Sequence, residues 1–117
     1  MFINIVRWQV KKENSAKQHE VWREMMDYQR RHPDKLIYIR SRFFTSTEDG
    51  SPEETWMFQD DYYKGEDFHR GVEALKEDPE LKMFMDGWFP KWKGLIIPGS
   101  RKGEFWDEVE DLRVELE

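Results

Sequence analysis

The 117-residue sequence contains no cysteine. Disulfides, a thiol nucleophile and a thiolate metal site are therefore excluded, and the absence fits a reducing, cytoplasmic location. The chain also lacks any run of about 18 apolar residues, so no membrane span is expected. Its N-terminal apolar run is cut by Asn4 and Arg7 and no small-residue cleavage site follows, so no signal peptide is expected. Basic charge is not concentrated: 19 Lys and Arg are interspersed with 25 Asp and Glu, for a net charge of −6. Nucleic acid, which demands a basic footprint, is not an expected partner. There is no Gly-rich phosphate loop, no nucleophile elbow and no internal repeat. No two of the three histidines stand at i, i+3 or i, i+4, so no metal site is read from the sequence.

What the chain has in quantity is aromatic surface. Six Trp and eight Phe are a large supply of buried area for one domain of this length. They also argue against disorder, which the 38% charged content would otherwise suggest.

The opening stretch, FINIVRWQVK from Phe2 to Lys11, reads as a strand carrying bulky groups on both faces. Asn4, Val6, Trp8 and Val10 belong to the face expected to meet this chain's helices. Ile3, Ile5, Arg7 and Gln9 belong to the other. Ser15 as N-cap with Gln18 three residues on suggests a capping box. Val21, Met25 and Tyr28 then mark a helix that ends at Arg31-His32-Pro33. Leu36–Thr45 reads as a second strand, with Ile37, Ile39 and Phe43 on one face and Tyr38, Arg40 and Arg42 on the other. A turn containing Asp49-Gly50-Ser51-Pro52 leads to a short third strand, Thr55–Gln59. Asp60–Glu66 reads as a polar turn. A helix is expected from about Gly65 to Glu77, and Asp78-Pro79 restarts helix as N-cap and first residue. Gly87 and Pro90 are expected to stop or kink it. The turn Pro98-Gly99-Ser100 follows. In the tail, Phe105, Val109, Leu112 and Leu116 fit a helix, while the alternation fits a strand; a strand at Phe105 to about Leu112 is favoured because the rest of the chain needs a fourth.

This order, βαββαβ, predicts an α+β, ferredoxin-like domain spanning 1–117: a four-stranded antiparallel sheet with helices on one face and a C-terminal strand extension from about 104. The other face, mixed and bulky, calls for cover by a second copy. Arg7, Arg40 and Arg42 are expected to pair with Glu108 and Glu110 across the barrel or between subunits.

The segments IVRWQVK, HPDKLIYIRSRF, WMFQD and EDFHRGVEALKEDPELKMF resemble, in order and spacing, the dimeric α/β-barrel superfamily and most closely its antibiotic-biosynthesis-monooxygenase (ABM) branch. The resemblance covers roughly Ile3 to Trp92. It implies a homodimer whose two sheets close one barrel, with a pocket between sheet and helices in each subunit. The haem-degrading branch of that family has an Asn, a Trp and a His whose positions fall on Val6, near Ala74 and near Met85. None matches, so no haem or other cofactor is implied.

Four residues are candidates for chemistry. Asn4, an amide on an apolar strand face, either finds a core partner or lines a cavity where it can hold a reacting oxygen. His69 is a candidate general base, or an exposed helix residue beside Asp67 and Arg70. Trp56 and Trp88 are candidate substrate-binding walls for a small aromatic ligand, or core. The expected function is a cofactor-independent monooxygenase-like enzyme acting on a small aromatic compound. The alternative is a non-catalytic small-ligand-binding or stress-associated homodimer.

Overall fold

The computed structural model describes residues 1–46, 48 and 50–116; Asp49 of the expected turn and Glu117 lie outside the described residues. In chain order the elements are β1 (Phe2–Lys11), α1 (Ser15–Arg31), β2 (Arg40–Ser46), β3 (Glu53–Tyr62), α2 (Gly65–Glu77), α3 (Pro79–Lys93) and β4 (Lys102–Asp107). The strands form one antiparallel sheet in the order β2-β3-β1-β4. This is the expected α+β, ferredoxin-like arrangement, with the helices on one face.

The first strand has the expected ends and faces. Trp8 and Val10 are fully buried under the helices, while Arg7, one step out of phase, is exposed. Trp8 is the centre of the core. Its ring lies 5.1 Å from Trp92, 5.6 Å from Trp22, 5.9 Å from Phe58 and 6.4 Å from Trp56. Its indole N–H donates to Oε1 of Gln18 at 3.0 Å, and Gln18 is itself fully buried. Gln18 is therefore not half of a capping box. It is a core acceptor, because an indole N–H taken out of water needs one. Ser15 is likewise not the cap: its hydroxyl donates to Glu54 Oε1, and the chain enters α1 from a short 3₁₀ turn at Lys12–Asn14.

Other boundaries differ from expectation for traceable reasons. Leu36–Ile39 is not strand. A 3₁₀ turn at Pro33–Lys35 and a bend at Tyr38–Ile39 precede β2, and the bend shifts the alternation. Tyr38 consequently turns to the helix side, where its hydroxyl donates to Gln29, and Ile39 is left exposed. The third strand runs on through Asp60-Asp61 to Tyr62, since both acids are accommodated in the sheet. α3 continues past Gly87 and Pro90 to Lys93. An internal proline costs about 3 kcal/mol. Trp88 and Trp92 are both buried on this helix, and two indoles at about 150–250 Å² each outweigh that cost.

The last strand is displaced. It begins at Lys102 and its ladder ends where Asp107 meets Phe2; a 3₁₀ turn occupies Glu110–Leu112. Beyond Arg7, the free side of β1 is held by the 97–100 turn instead. Ile97 N donates to Gln9 O at 2.8 Å, and Gln9 N donates to Ser100 Oγ at 3.0 Å. Gly99, at φ +80°, permits that turn.

Within the chain, the residues expected to form Arg–Glu pairs have other partners. Glu108 and Glu110 bind the Met1 amine, and Glu108 also binds Arg113. Arg7 pairs with Glu104 at 2.5 Å, whereas Arg40 and Arg42 reach Asp61 at 2.8 and 3.9 Å. Asp61 is 2% exposed although it lies on the face away from the helices, because the arginines and Gln59 cover it.

The Trp8–Gln18 bond yields a stability prediction. Trp8→Phe leaves Gln18 buried without a partner and opens space in the core, at a cost of about 2–4 kcal/mol. Adding Gln18→Met to Trp8→Phe removes the orphaned amide and is expected to recover about 1–2 kcal/mol. Urea unfolding of the single and double variants measures both.

Candidate functional site

Strand registers place the sheet's helix-side residues in rows. One row joins Val6, Phe58 and Phe43, and the next but one joins Phe2 and Tyr62. Between them lies a polar row: Asn4 on β1, Asp60 on β3 and Ser41 on β2. A carboxylate, an amide and a hydroxyl thus cross a floor that is otherwise aromatic. Above that row is a cavity of about 310 Å³. α1 supplies Trp22, Met25 and Tyr28 to its walls, α2 supplies Phe68, Val72 and Leu75, and α3 supplies Met85, Trp88 and Trp92. The bend before β2 adds Tyr38, and the end of β3 adds Tyr62.

Asp60 is the chemically distinctive group. Ser41 hydrogen-bonds its carboxyl, but its Oδ1 is buried with no partner among the described residues. Burial raises its pKa to about 6; the charge of Asp61 adds to the rise and the Ser41 bond opposes it. Tyr38 and Tyr62 are held protonated well above the usual phenol range, first by burial and then by the Asp60 charge. The Tyr28 hydroxyl, also in the wall, is buried without a partner, and burial raises its pKa as well. The arrangement is a carboxylate of raised basicity beside neutral phenols in an apolar chamber, which suits removal of a proton from a bound ligand. Among the described residues no cluster of three or more His, Asp or Glu side chains is placed to hold a metal ion.

No family model matches the chain, and no curated protein matches it in sequence. Solved structures do match in shape. An uncharacterized NIPSNAP domain protein from Burkholderia xenovorans aligns with a TM-score of 0.63 over 93% of this chain and 95% of its own, at 13% identity. An antibiotic biosynthesis monooxygenase aligns at 0.61 over 93% and 99%, at 12% identity. SnoaB, a cofactor-independent oxygenase from Streptomyces nogalater, aligns at 0.57 over 95% and 96%, at 11% identity. The chain has the ABM-like ferredoxin fold. At these identities the likeness speaks for the fold alone.

Within this ABM-like fold the four candidates separate. Asn4 and Trp88 line the cavity; the Trp88 indole N–H donates to Val21 O at 2.7 Å, which locks its ring as a wall. Trp56 is not in that cavity. It packs on Trp8, donates to Glu54 Oε1 at 2.5 Å and borders a separate cleft. His69 is exposed on the first turns of α2, against the edge of Phe68, and does not meet Asn4. Sequence reasoning does not single out Asp60 as a base, because an acidic pair at a strand-to-helix junction reads as a polar turn that favours the positive end of the helix. The signal was present nonetheless: Trp56, Phe58, Asp60 and Tyr62 continue one period-2 face through the pair. Among the described residues no helix of the ABM-like fold is long and apolar enough to cross a membrane.

A raised carboxyl pKa costs stability when the group is ionised. Folded Asp60 binds its proton more tightly than the unfolded chain does. Stability therefore falls as pH rises from the ordinary value of 3.8 through about 6. Above that window the cost is about 3 kcal/mol. Asp60→Asn is expected to be more stable than the native chain by about 2–3 kcal/mol at pH 7.5, with the gap closing near pH 4. Denaturant melts at several pH values measure it.

Proposed function

We propose that the cavity binds a small aromatic compound bearing an ionisable hydroxyl and that Asp60 takes its proton. In this reading the protein is a cofactor-independent monooxygenase-like enzyme. The bound phenolate or enolate supplies the electrons to dioxygen: one oxygen atom bonds to a ring carbon, which loses its hydrogen as the ring is oxidised to a quinone, and the other oxygen leaves as water, so no resident cofactor is needed. The observation that carries the proposal is Asp60 itself: a half-buried carboxyl whose Oδ1 is fully buried and unpartnered among the described residues, with a pKa of about 6, lining an aromatic chamber. A base of that strength is matched to proton removal near neutral pH. Asn4, opposite Asp60 in the row, holds the ligand oxygen in this reading. Tyr38 and Tyr62 serve as neutral donors, and Trp88 positions the ring. His69 and Trp56, which lie outside this cavity, have no part in this reading. The shape likeness to SnoaB is consistent with it.

Oxygen uptake by the purified chain with 1,4-dihydroxynaphthalene, without added metal or cofactor, tests the proposal. The expected kcat/KM rises through about pH 6 and then levels as Asp60 ionises, and Asp60→Asn lowers it about 100-fold or more. Binding without any protein-dependent oxygen uptake would instead favour a non-catalytic ligand-binding protein.

We further propose a homodimer formed through the sheet face opposite the helices. Phe44 is 41% exposed and Trp106 56% exposed there. By register Trp106 stands beside Ile3, with Ile5 two residues along. Apolar groups this large gain by mutual burial. The double variant Ile5→Lys with Phe44→Lys is expected to sediment as a monomer with an unchanged far-UV spectrum; a persistent dimer would refute this face as the interface.

A further inference from the structure

A second cleft, of about 410 Å³, lies on the outer side of α1 where that helix meets β2 and β3. Trp22, Met26 and Phe43 form its inner wall and also line the inner cavity, so the two spaces are back to back. Trp56 adds a third aromatic ring, and the exposed His19 stands edge-on to it at 6.4 Å. The rim is polar: Arg23, Asp27 and Arg30. Asp27 is committed, accepting from Arg30 Nη1 at 2.9 Å. Arg23 has no ion-pair acceptor among the described residues, and Arg30 keeps further N–H donors beyond the one Asp27 uses. The Trp22 indole N–H in the shared wall is also buried without an acceptor.

We propose that this cleft is a second, independent binding site, for planar aromatic carboxylates. Phe43, half-buried, and the small exposed parts of the Trp22 and Trp56 rings offer apolar contact. The Arg23 guanidinium, with the remaining donors of Arg30, offers the forked geometry that a carboxylate accepts. The inner cavity has the opposite preference. Its carboxylate, Asp60, repels an anion once ionised, and its lining ammonium, Lys35, is already held by Asp78 at 2.7 Å and Glu80 at 3.4 Å. The two spaces thus divide aromatic ligands by charge, neutral hydroxyl compounds inside and carboxylates outside. The proposal stands on the cleft's own residues and does not require the inner cavity to be catalytic.

Sodium 2-naphthoate and its neutral isostere 2-naphthamide are the probes, titrated calorimetrically into the whole chain at pH 7.5. Naphthoate is expected to bind about tenfold tighter than naphthamide, the effect of one charge-assisted contact at a partly exposed site. Arg23→Gln with Arg30→Gln brings the naphthoate affinity down to that of naphthamide, and raising the salt weakens naphthoate more than naphthamide. Both arginines have exposed side chains, so the variants are expected to fold; Arg23→Lys restores part of the affinity while losing the fork. Equal affinity for the two probes, or naphthoate binding indifferent to the arginines, would overturn the proposal. Naphthoate affinity that responds to Asp60→Asn and not to Arg23→Gln would place the ligand in the inner cavity and overturn it equally. Failure of oxygen uptake with a native-like response to naphthoate would leave this site standing and refute only the catalytic reading.

Discussion

The hydrogen bond from the Trp8 indole to Gln18 holds the sheet to the first helix in the middle of the aromatic core. Both residues are fully buried. Around them Trp22, Trp56 and Trp92 pack within 6.4 Å of the Trp8 ring. An apolar core of this kind tolerates exchange of one hydrophobe for another, but a buried donor and acceptor that need each other tolerate only one geometry. The bond therefore sets the rotation of α1 on the sheet. That rotation in turn decides which α1 residues, Trp22, Met25 and Tyr28 among them, face the floor, and which, Arg23 and Arg30, reach the outer rim. Both the inner cavity and the outer cleft depend on it.

The inner cavity reflects a compromise visible in the sheet rows. Filling the Asn4–Asp60–Ser41 row with apolar groups would give a more stable floor, since an ionised carboxyl loses hydration there. Ser41 offsets part of that loss and one oxygen is left unpartnered. Cost of this type is characteristic of sites rather than scaffolds. The neighbouring acid shows the contrast. Asp61, one residue on and on the opposite face, is held by Arg40, Arg42 and Gln59. Alternation alone gave two adjacent aspartates opposite environments, one ion-paired and one with an unpartnered oxygen beside the cavity.

Local patterns were legible where a single periodicity ruled a segment. The ten residues of β1, the limits of α2 and the Asp78-Pro79 start of α3 follow from side-chain alternation, helical spacing and cap chemistry. In α3 the Asp78 carboxylate accepts from Glu80 N and Leu81 N at 3.0 and 3.1 Å, as an N-cap should. Misreadings occurred where a distant partner overrode a local preference. Gln18 matched a capping pattern but is claimed by Trp8, ten residues earlier in sequence. Asp60-Asp61 matched turn chemistry but is claimed by the cross-strand residues Ser41 and Arg40. Tyr38 was assigned by alternation to the outer face, yet a bend that no local motif announced turns it inward.

The order and type of the elements, the two-faced character of the first strand and the placement of Asn4 toward the helices are legible from the residues alone, because each depends on neighbours along the chain. Only the tertiary structure decided that Asp60 joins Asn4 and Ser41, that His69 stays outside, that Trp56 closes one space while Trp88 walls another, and that the arginines of α1 gather over an aromatic cleft. Those outcomes depend on strand register and helix rotation, which bring residues from separate elements together and are set by which buried groups satisfy one another.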